Sequence, residues 1–328
     1  MFLYRKEEIE QLAQKYNFRK ETLEKELRLI EILKFINNNG LTKNKLVLKG
    51  GTAINFCVFD LPRLSVDIDL DYEDDVNRDI MIKYKEKVEN LFIHYMKNEN
   101  YNLSSNTRYK YALTSLVFQY KNLFGGPDSL KIEINYMNRI HIYPFVMKNV
   151  NIPTLEKLYI CTLDNFELFG TKIKALIERT TIRDVYDVYQ MLMQKVFKED
   201  QYDKLKKCVL FYLEAGHTGS DNFNFKETID NFNFKIENFT KKSMPQYLTS
   251  VLRKSDNFDI KRSVQKVKEF VNKLMVLKDE EKEFINEFNL GNCKAELLYN
   301  DESMVNKLNN HPMVIWKCKR ISKDIEEI

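Results

Sequence analysis

A chain of 328 residues with 44% hydrophobic and 30% charged side chains has an ordinary globular composition, long enough for two domains and a sizeable core, and it excludes a disordered protein. Its 52 basic and 48 acidic groups leave a net charge of +4, which identifies a polyanionic partner only if the cations cluster locally. Five scattered cysteines (Cys57, Cys161, Cys208, Cys293, Cys318) and four histidines (His94, His141, His217, His311) show no metal-ligand spacing, so a zinc site is excluded and reduced, mostly buried thiols are expected.

The opening Met1-Phe-Leu-Tyr-Arg-Lys-Glu-Glu turns charged too early for a signal peptide. No apolar run approaches the ~18 residues of a membrane span, and a soluble, cytoplasmic protein is expected. Residues 5–38 read as helix, with Leu23, Leu27, Ile30, Leu33 and Ile36 at helical spacing and Asn37-Asn-Asn-Gly40 as the stop. Lys45–Leu48 reads as a short strand, Gly50-Gly51 as a tight turn and Thr52–Phe59 as a short helix. Val66–Tyr72 alternates like a strand, and 78–98 returns to helical periodicity. Two strands, Tyr111–Tyr120 and Ser129–Tyr136, flank a Gly125-Gly-Pro127 turn. Beyond about residue 160 the strand signals fade: Leu163–Arg179 and Ile182–Val196 are helical, and amphipathic helices fill most of the remainder. The segment Asp-Asn-Phe-Asn-Phe-Lys occurs at 221–226 and again at 230–235. Two copies are too few for a repeat architecture, and they read as a polar connection with buried Phe anchors. The outline is α/β over 1–160 and helical over 161–328.

Only 9 glycines are present, yet two stand side by side in Leu46-Val-Leu-Lys-Gly-Gly-Thr-Ala-Ile54. Shortly after them, Leu64-Ser-Val-Asp-Ile-Asp-Leu-Asp-Tyr72 sets Asp67, Asp69 and Asp71 at alternate positions. On a strand these acids share one face while Ile68 and Leu70 take the other. Like charges so close raise one another's pKa unless a cation neutralises them. Mg²⁺ suits the task, because it takes one or two carboxylates and completes its shell with water and phosphate oxygens. The glycines let backbone amides approach a phosphate, and Thr52 and Ser65 add hydroxyls. A nucleoside triphosphate and metal site is the reading, against the plainer one of a charged, solvated edge strand. A third carboxylate for a two-metal site is offered by Glu133 in Lys131-Ile-Glu-Ile-Asn135, which shares its strand face with Lys131 and Asn135.

A second constellation runs Thr171-Lys-Ile-Lys-Ala-Leu-Ile-Glu-Arg-Thr-Thr-Ile-Arg-Asp-Val-Tyr-Asp187. On a continuous helix Lys172, Arg179, Arg183 and Asp187 would share one face. Thr181-Ile-Arg-Asp184 resembles a capping box, which would start a second helix there. The alternative is a salt-bridged solvent face.

Leu48-Lys-Gly-Gly-Thr-Ala53, then Arg63-Leu-Ser-Val-Asp-Ile-Asp-Leu70, then Lys172 and Arg179 ahead of Arg183-Asp-Val-Tyr-Asp187, together resemble the AbiEii/AbiGii-type nucleotidyltransferases. These are toxins of bacterial abortive-infection and toxin–antitoxin systems, and the MenT toxins belong with them. The resemblance covers roughly residues 40–195. It implies a polymerase-β-like nucleotidyltransferase core with a mixed sheet, followed by a helical C-terminal domain that contributes Lys172 and Asp187. It further implies that Gly50, Gly51, Thr52 and Ser65 hold an NTP, that Asp67 and Asp69 bind Mg²⁺ or Mn²⁺, and that Lys172 neutralises phosphates with Asp187 completing the site. Arg183 and Asp184 match the motif as nucleotide contacts or as helix braces. In other polymerase-β-like enzymes a serine directly follows the glycine; here it is Thr52.

The implied activity is transfer of a nucleotide to an RNA acceptor, the 3′ end of tRNA being expected, with a cognate antitoxin as partner. Lys204, Lys206, Lys207, Lys241 and Lys242 are candidates to grip RNA phosphates, against a reading of each as a solvated lysine. Two other functions compete: a nucleotidyltransferase with a small-molecule acceptor such as an antibiotic, and a catalytically silent nucleotide-binding module.

Overall fold

Asn17 interrupts what the periodicity presents as one helix. The computed structural model describes residues 2–150, 157–217, 223–239 and 246–326, and within it 5–38 forms two helices, α1 (Lys6–Tyr16) and α2 (Lys20–Asn38). Asn17 between them is left-handed (φ 60°), and its amide closes onto the carbonyls of Ala13 and Gln14, an αL cap. Apolar spacing continues on both sides of this break, which is why periodicity alone conceals it.

The chain divides into two compact units. The first comprises Met1–Arg139, Pro144–Asp164 and Gln246–Asn257, and the second Ile140–Tyr143, Asn165–Pro245 and Phe258–Ile328. In the first unit β1 (Leu46–Lys49), α3 (Gly50–Cys57), β2 (Asp67–Tyr72) and α4 (Arg78–Asn98) are followed by β3 (Asn102–Leu103), β4 (Arg108–Tyr109), β5 (Leu113–Lys121), β6 (Pro127–Asn135), β7 (Val146–Asn149) and β8 (Tyr159–Thr162). They build a mixed sheet in the order β3-β5-β6-β2-β1-β8-β7, with β4 also paired to β5. β2–β6 and β1–β8 are parallel and the other pairs antiparallel. The expected hairpin is β5–β6, and Gly125 (φ 93°) makes its turn while the Asn122 side chain accepts from the amides of Phe124 and Gly126. β3, β4, β7 and β8 run only two to four residues, too short for an alternation to register in the sequence.

One face of the sheet is apolar. Ile68, Leu70, Ile132 and Ile134 are at most 1% exposed, and Leu27 and Leu33 of α2 and Val88 and Phe92 of α4 are likewise buried. Each fully buried side chain of this size stabilises the fold by about 1.5–3 kcal/mol relative to exposure. A distant piece of chain joins this unit: α9 (Gln246–Val251) and the residues after it. The Leu64 amide donates to Val251 O at 2.8 Å, and Arg253 reaches the carbonyls of Asp60 and Leu61. Nothing in the sequence signalled that return.

The second unit is helical among its described residues: α5 (Asn165–Arg179), α6 (Ile182–Met193), α7 (Tyr202–Gly216), α8 (Phe225–Glu237), α10 (Ile260–Leu274), α11 (Asp279–Asn289), α12 (Glu302–Asn309) and α13 (Pro312–Glu326), with two short 3₁₀ turns. α5 and α7 pack so closely that a Cβ at Gly170 would collide with Cys208 Sγ. The second copy of the Asn-Phe segment, 230–235, lies within α8 rather than in a connection, with Phe232 buried and Phe234 exposed. Residues 221–222 of the first copy lie outside the described residues. No helix among those described is long and apolar enough to cross a membrane.

Because Asn17 holds a left-handed conformation, Asn17→Gly is expected to leave stability unchanged or slightly raised. Asn17→Val is expected to lower the unfolding free energy by about 1–2 kcal/mol, measured by urea denaturation.

Candidate functional site

The first unit gathers seven of the residues that the sequence singles out. β1 delivers the chain to Gly50, which opens α3 with φ +68°. A Cβ at Gly50 would stand 2.6 Å from Asp69 Oδ2, and one at Gly51 would stand 2.7 Å from Arg63 Nη2. Gly50 is therefore required by its dihedral and its close approach to Asp69, whereas at Gly51 the neighbour is the movable end of Arg63. The antiparallel pairing of β1 with β2 sets Lys49 opposite Asp69. Parallel pairing of β2 with β6 sets Asp69 opposite Glu133 and Asp67 opposite Lys131. Paired residues on neighbouring strands project to the same face, so Asp67, Asp69, Lys131 and Glu133 form a half-buried patch on the sheet's polar side.

Asp71 departs from the expectation that three acids emerge together. It is fully buried, paired with Lys49 Nζ at 2.5 Å and accepting from Asn138 Nδ2 at 2.9 Å, so it neutralises a lysine instead of joining the patch. Lys131 takes a part that the sequence did not assign. Its Nζ lies 3.5 Å from Glu133 Oε2; burial opposes its charge, but the Asp67, Glu133 and Asp69 carboxylates raise its pKa above the ordinary lysine value. It is the cation built into the acidic patch.

Thr52 and Ser65 meet beneath the patch. Their hydroxyls are 2.6 Å apart, and Thr52 Oγ1 also donates to the carbonyl of Asp67. Thr52 is 1% exposed, so its hydroxyl ties the start of α3 to the start of β2. The Ser65 amide in turn donates to Glu26 Oε2 of α2 at 2.8 Å. Glu26 is completely buried, and burial pushes its carboxyl well above the ordinary value against the Ser65 amide and the Arg63 charge. Glu26 and Arg63 are thus braces of the loop between α3 and β2. Sequence reasoning missed Glu26 because a glutamate in a helical run carries no mark of the strand loop it will meet.

Asp67 and Asp69 suit a divalent cation of the Mg²⁺ type, since Mg²⁺ uses one or two carboxylates and leaves its other positions to water and phosphate. The missing Cβ at Gly50 lets the Asp69 carboxylate lie directly against the backbone there. Among the described residues, no group of three or more His, Cys, Asp or Glu side chains is arranged to enclose a metal ion; the fit is that of an open, two-carboxylate site.

The second unit holds the other constellation. α5 ends at Arg179, Thr180 takes a left-handed φ of 48°, and Thr181 caps α6 by accepting from the Asp184 amide. A new helix therefore does start at Thr181, through its N-cap, with the Asp184 carboxylate taking the Thr181 hydroxyl instead of closing a capping box on its amide. Lys172 Nζ lies 3.1 Å from Asp184 Oδ1 and 3.0 Å from Asp187 Oδ2. Lys172 is 8% exposed, and both aspartates are fully buried. Arg179 forks onto Asp184 at 2.8 and 2.9 Å, and the Thr181 hydroxyl donates to it at 2.6 Å. Burial alone would raise the Asp184 carboxyl; Lys172 and Arg179 outweigh it and hold the group well below the usual carboxylate range. Arg183 lies on the first turn of α6, half-buried.

The lysines considered as an RNA grip are already engaged within this unit. Lys206 is buried against Glu281 at 2.8 Å, Lys207 pairs with Asp203 at 3.3 Å, and Lys204 lies 4.2 Å from the ring centres of both Tyr143 and Phe166. Lys241 and Lys242 lie outside the described residues.

Comparison with known proteins identifies a family and a similar fold. Residues 34–274 match the family described as nucleotidyl transferase AbiEii toxin, type IV TA system. In fold the chain is similar to MenT4, a nucleotidyltransferase toxin from Mycobacterium tuberculosis, with a TM-score of 0.63 at 13% identity over 95% of this chain and 99% of that one. No curated protein sequence matches.

Removing one partner of a buried ion pair costs about 3–5 kcal/mol, so Asp184→Asn is expected to destabilise the protein by about 3 kcal/mol near neutral pH. The native Asp184 pKa is depressed, so its stabilisation is complete above the unfolded value of about 3.9 and is lost as pH falls below it. The gap in denaturation free energy between wild type and variant should be widest above about pH 5 and shrink on acidification.

Proposed function

Because the chain belongs to the AbiEii nucleotidyltransferase toxin family of type IV toxin–antitoxin systems, we propose that it transfers a nucleotide from an NTP to the 3′-hydroxyl of an RNA, with tRNA the expected acceptor. A cognate antitoxin restrains it, and its place of action is the cytoplasm. The observation that supports this reading best is the register of the central strands: Asp69 stands opposite Glu133 on β6, and Gly50 lies against its carboxylate.

In this reading the amides at Gly50 and Gly51 receive the triphosphate, Ser65 lines it, and Thr52 fixes the loop to the strand that carries Asp67. Asp67 and Asp69 hold Mg²⁺ or Mn²⁺, with Glu133 as an adjoining carboxylate. The metal, when bound, neutralises phosphate charge and lowers the pKa of the attacking hydroxyl. The acceptor oxygen bonds to the α-phosphorus, the bond to the β-phosphate oxygen breaks in line, pyrophosphate leaves, and the hydroxyl proton passes to solvent. Lys131 lies among the acids and limits their mutual repulsion while no metal is held. Within the second unit, Asp187 orients the Lys172 ammonium at 3.0 Å; phosphate is the partner proposed for Lys172 and nucleotide that for Arg183.

One observation favours a different part for Lys172. It is nearly buried between two carboxylates that tie α5 to α6, which is also the geometry of a structural clamp. Lys172→Met separates the two: a phosphate contact predicts a calorimetric NTP dissociation constant weakened about tenfold or more, one good charge-assisted bond's worth, whereas a clamp predicts a lower Tm with NTP binding unchanged in the folded protein.

Asp67→Asn and Asp69→Asn are expected to reduce label transfer from NTP to total tRNA to background. Their Tm should be unchanged or higher, since each removes a charge repelled by its neighbours. Wild-type transfer rates in both variants would refute the carboxylate assignment, and transfer by the wild type only to small molecules would refute the RNA acceptor.

A further inference from the structure

Along the sheet edge of the first unit, Thr107-Arg-Tyr-Lys-Tyr-Ala112 alternates cations with aromatic rings and contains no acid. Arg108, Tyr109, Lys110 and Tyr111 are all exposed, the two tyrosines by 52% and 50%. The Arg78 guanidinium lies 5.2 Å from the centre of the Tyr111 ring. Among the described residues, Arg108 and Lys110 have no ion-pair partner for their side chains. Bases stacked on aromatic faces, with the backbone neutralised by Arg and Lys, are what single-stranded nucleic acid offers such a surface.

The segment is also held in a fixed shape. The Lys110 amide donates to Leu113 O at 2.8 Å, Lys85 Nζ donates to Lys110 O at 2.6 Å, and the Tyr136 amide donates to Ala112 O at 2.8 Å. Strand register relates it to the acidic patch. Arg108 pairs with Ser115, Ser115 with Glu133, and Glu133 with Asp69. These four residues form one row across the sheet and project to one face, while Tyr109, opposite Thr114 and through it Ile134 and Leu70, projects to the other. Three strand steps of about 4.8 Å put the Arg108 position roughly 14 Å from that of Asp69.

We propose that Arg108–Tyr111, with Arg78 behind Tyr111, is a docking strip at the sheet edge for a single-stranded RNA end, its phosphates on the Arg108 side, which is the face that carries Asp69, and a base on the Tyr109 side. The strip rests on the nucleotidyltransferase reading only for the purpose of delivery; its affinity for single strands follows from its own chemistry. Tyr109 and Tyr111 stack bases, and Arg108 and Lys110 meet phosphates. The plainer alternative, a charged edge strand that discourages aggregation, accounts for the cations but not for the two exposed rings.

The test uses the full-length protein and fluorescence anisotropy with a labelled single-stranded oligoribonucleotide, next to the same sequence as a duplex. Wild type is expected to prefer the single strand. Tyr109→Ala and Tyr111→Ala should each weaken it about tenfold, whereas Tyr109→Phe, which keeps the ring, should not. Arg108→Gln with Lys110→Gln should flatten the slope of log affinity against log salt by about 1.4, at about 0.7 per phosphate. Calorimetric NTP affinity and Tm should be unchanged in all of them. Single-strand affinity within twofold of wild type in the alanine variants overturns the proposal, as does loss of antitoxin binding with RNA affinity intact. The two readings fail separately: an enzyme that binds the oligonucleotide but transfers nothing sinks the nucleotidyltransferase reading and spares the strip. Variants that label tRNA with an unchanged KM sink the strip and spare the reading.

Discussion

The close approach of Gly50 to the Asp69 carboxylate is the constraint on which the first unit's polar face depends. No side chain fits between them: a Cβ at that point would lie 2.6 Å from Oδ2, and the local φ of +68° is one that residues with side chains avoid. Once the glycine is admitted, β1 and β2 pair in the register that sets Lys49 opposite Asp69, and β2 and β6 pair so that Glu133 is the next carboxylate. The apolar residues on the opposite face hold this register, because slipping by one residue would turn Ile68 and Leu70 into solvent and the aspartates into the core. The acids stay together although they repel, and Lys131 among them lowers that cost.

Beneath this surface a chain of hydrogen bonds leads from α2 to the strand. Glu26 accepts from the Ser65 amide, Ser65 meets the Thr52 hydroxyl, and Thr52 donates to the Asp67 carbonyl. A second support comes from residues almost two hundred positions later, where Val251 accepts from the Leu64 amide. This buried polar chain ties α2 to the strand, with one oxygen of the Glu26 carboxyl, Oε1, left without a hydrogen-bond partner. The helical unit uses the same physics with formal charges, a lysine shared by two buried aspartates, one of which also takes an arginine fork. Such clusters are fixed in geometry because a partner left alone would be an uncompensated buried charge.

Charge in this protein is informative only locally. A net +4 from a hundred ionised groups says little, and most of the lysines that looked available along α7 are consumed by Asp203, Glu281 or aromatic faces. Among the described residues, Arg108 and Lys110 keep no ion-pair partner, beside Tyr109 and Tyr111 at the sheet edge.

The sequence by itself determined the alternation of Asp67, Asp69 and Asp71, the paired glycines, the β5–β6 hairpin, the Thr181 cap and the order of motifs that marks the family. All of these are local: period two, a dihedral that glycine adopts most readily, and a hydroxyl three residues ahead of an amide are set within a few positions of one another. What tertiary structure alone decided is which charges remain available. Asp71 is withdrawn by Lys49 and Asn138, Lys131 enters the acidic patch, Lys172 is taken up by Asp184 and Asp187, and Glu26 finds Ser65. The break at Asn17 and the return of 246–257 to the first unit belong to the same class. The physical reason is that an ionised side chain's role depends on the partners and dielectric around it, and these are supplied by segments that are remote in the chain and adjacent only after folding.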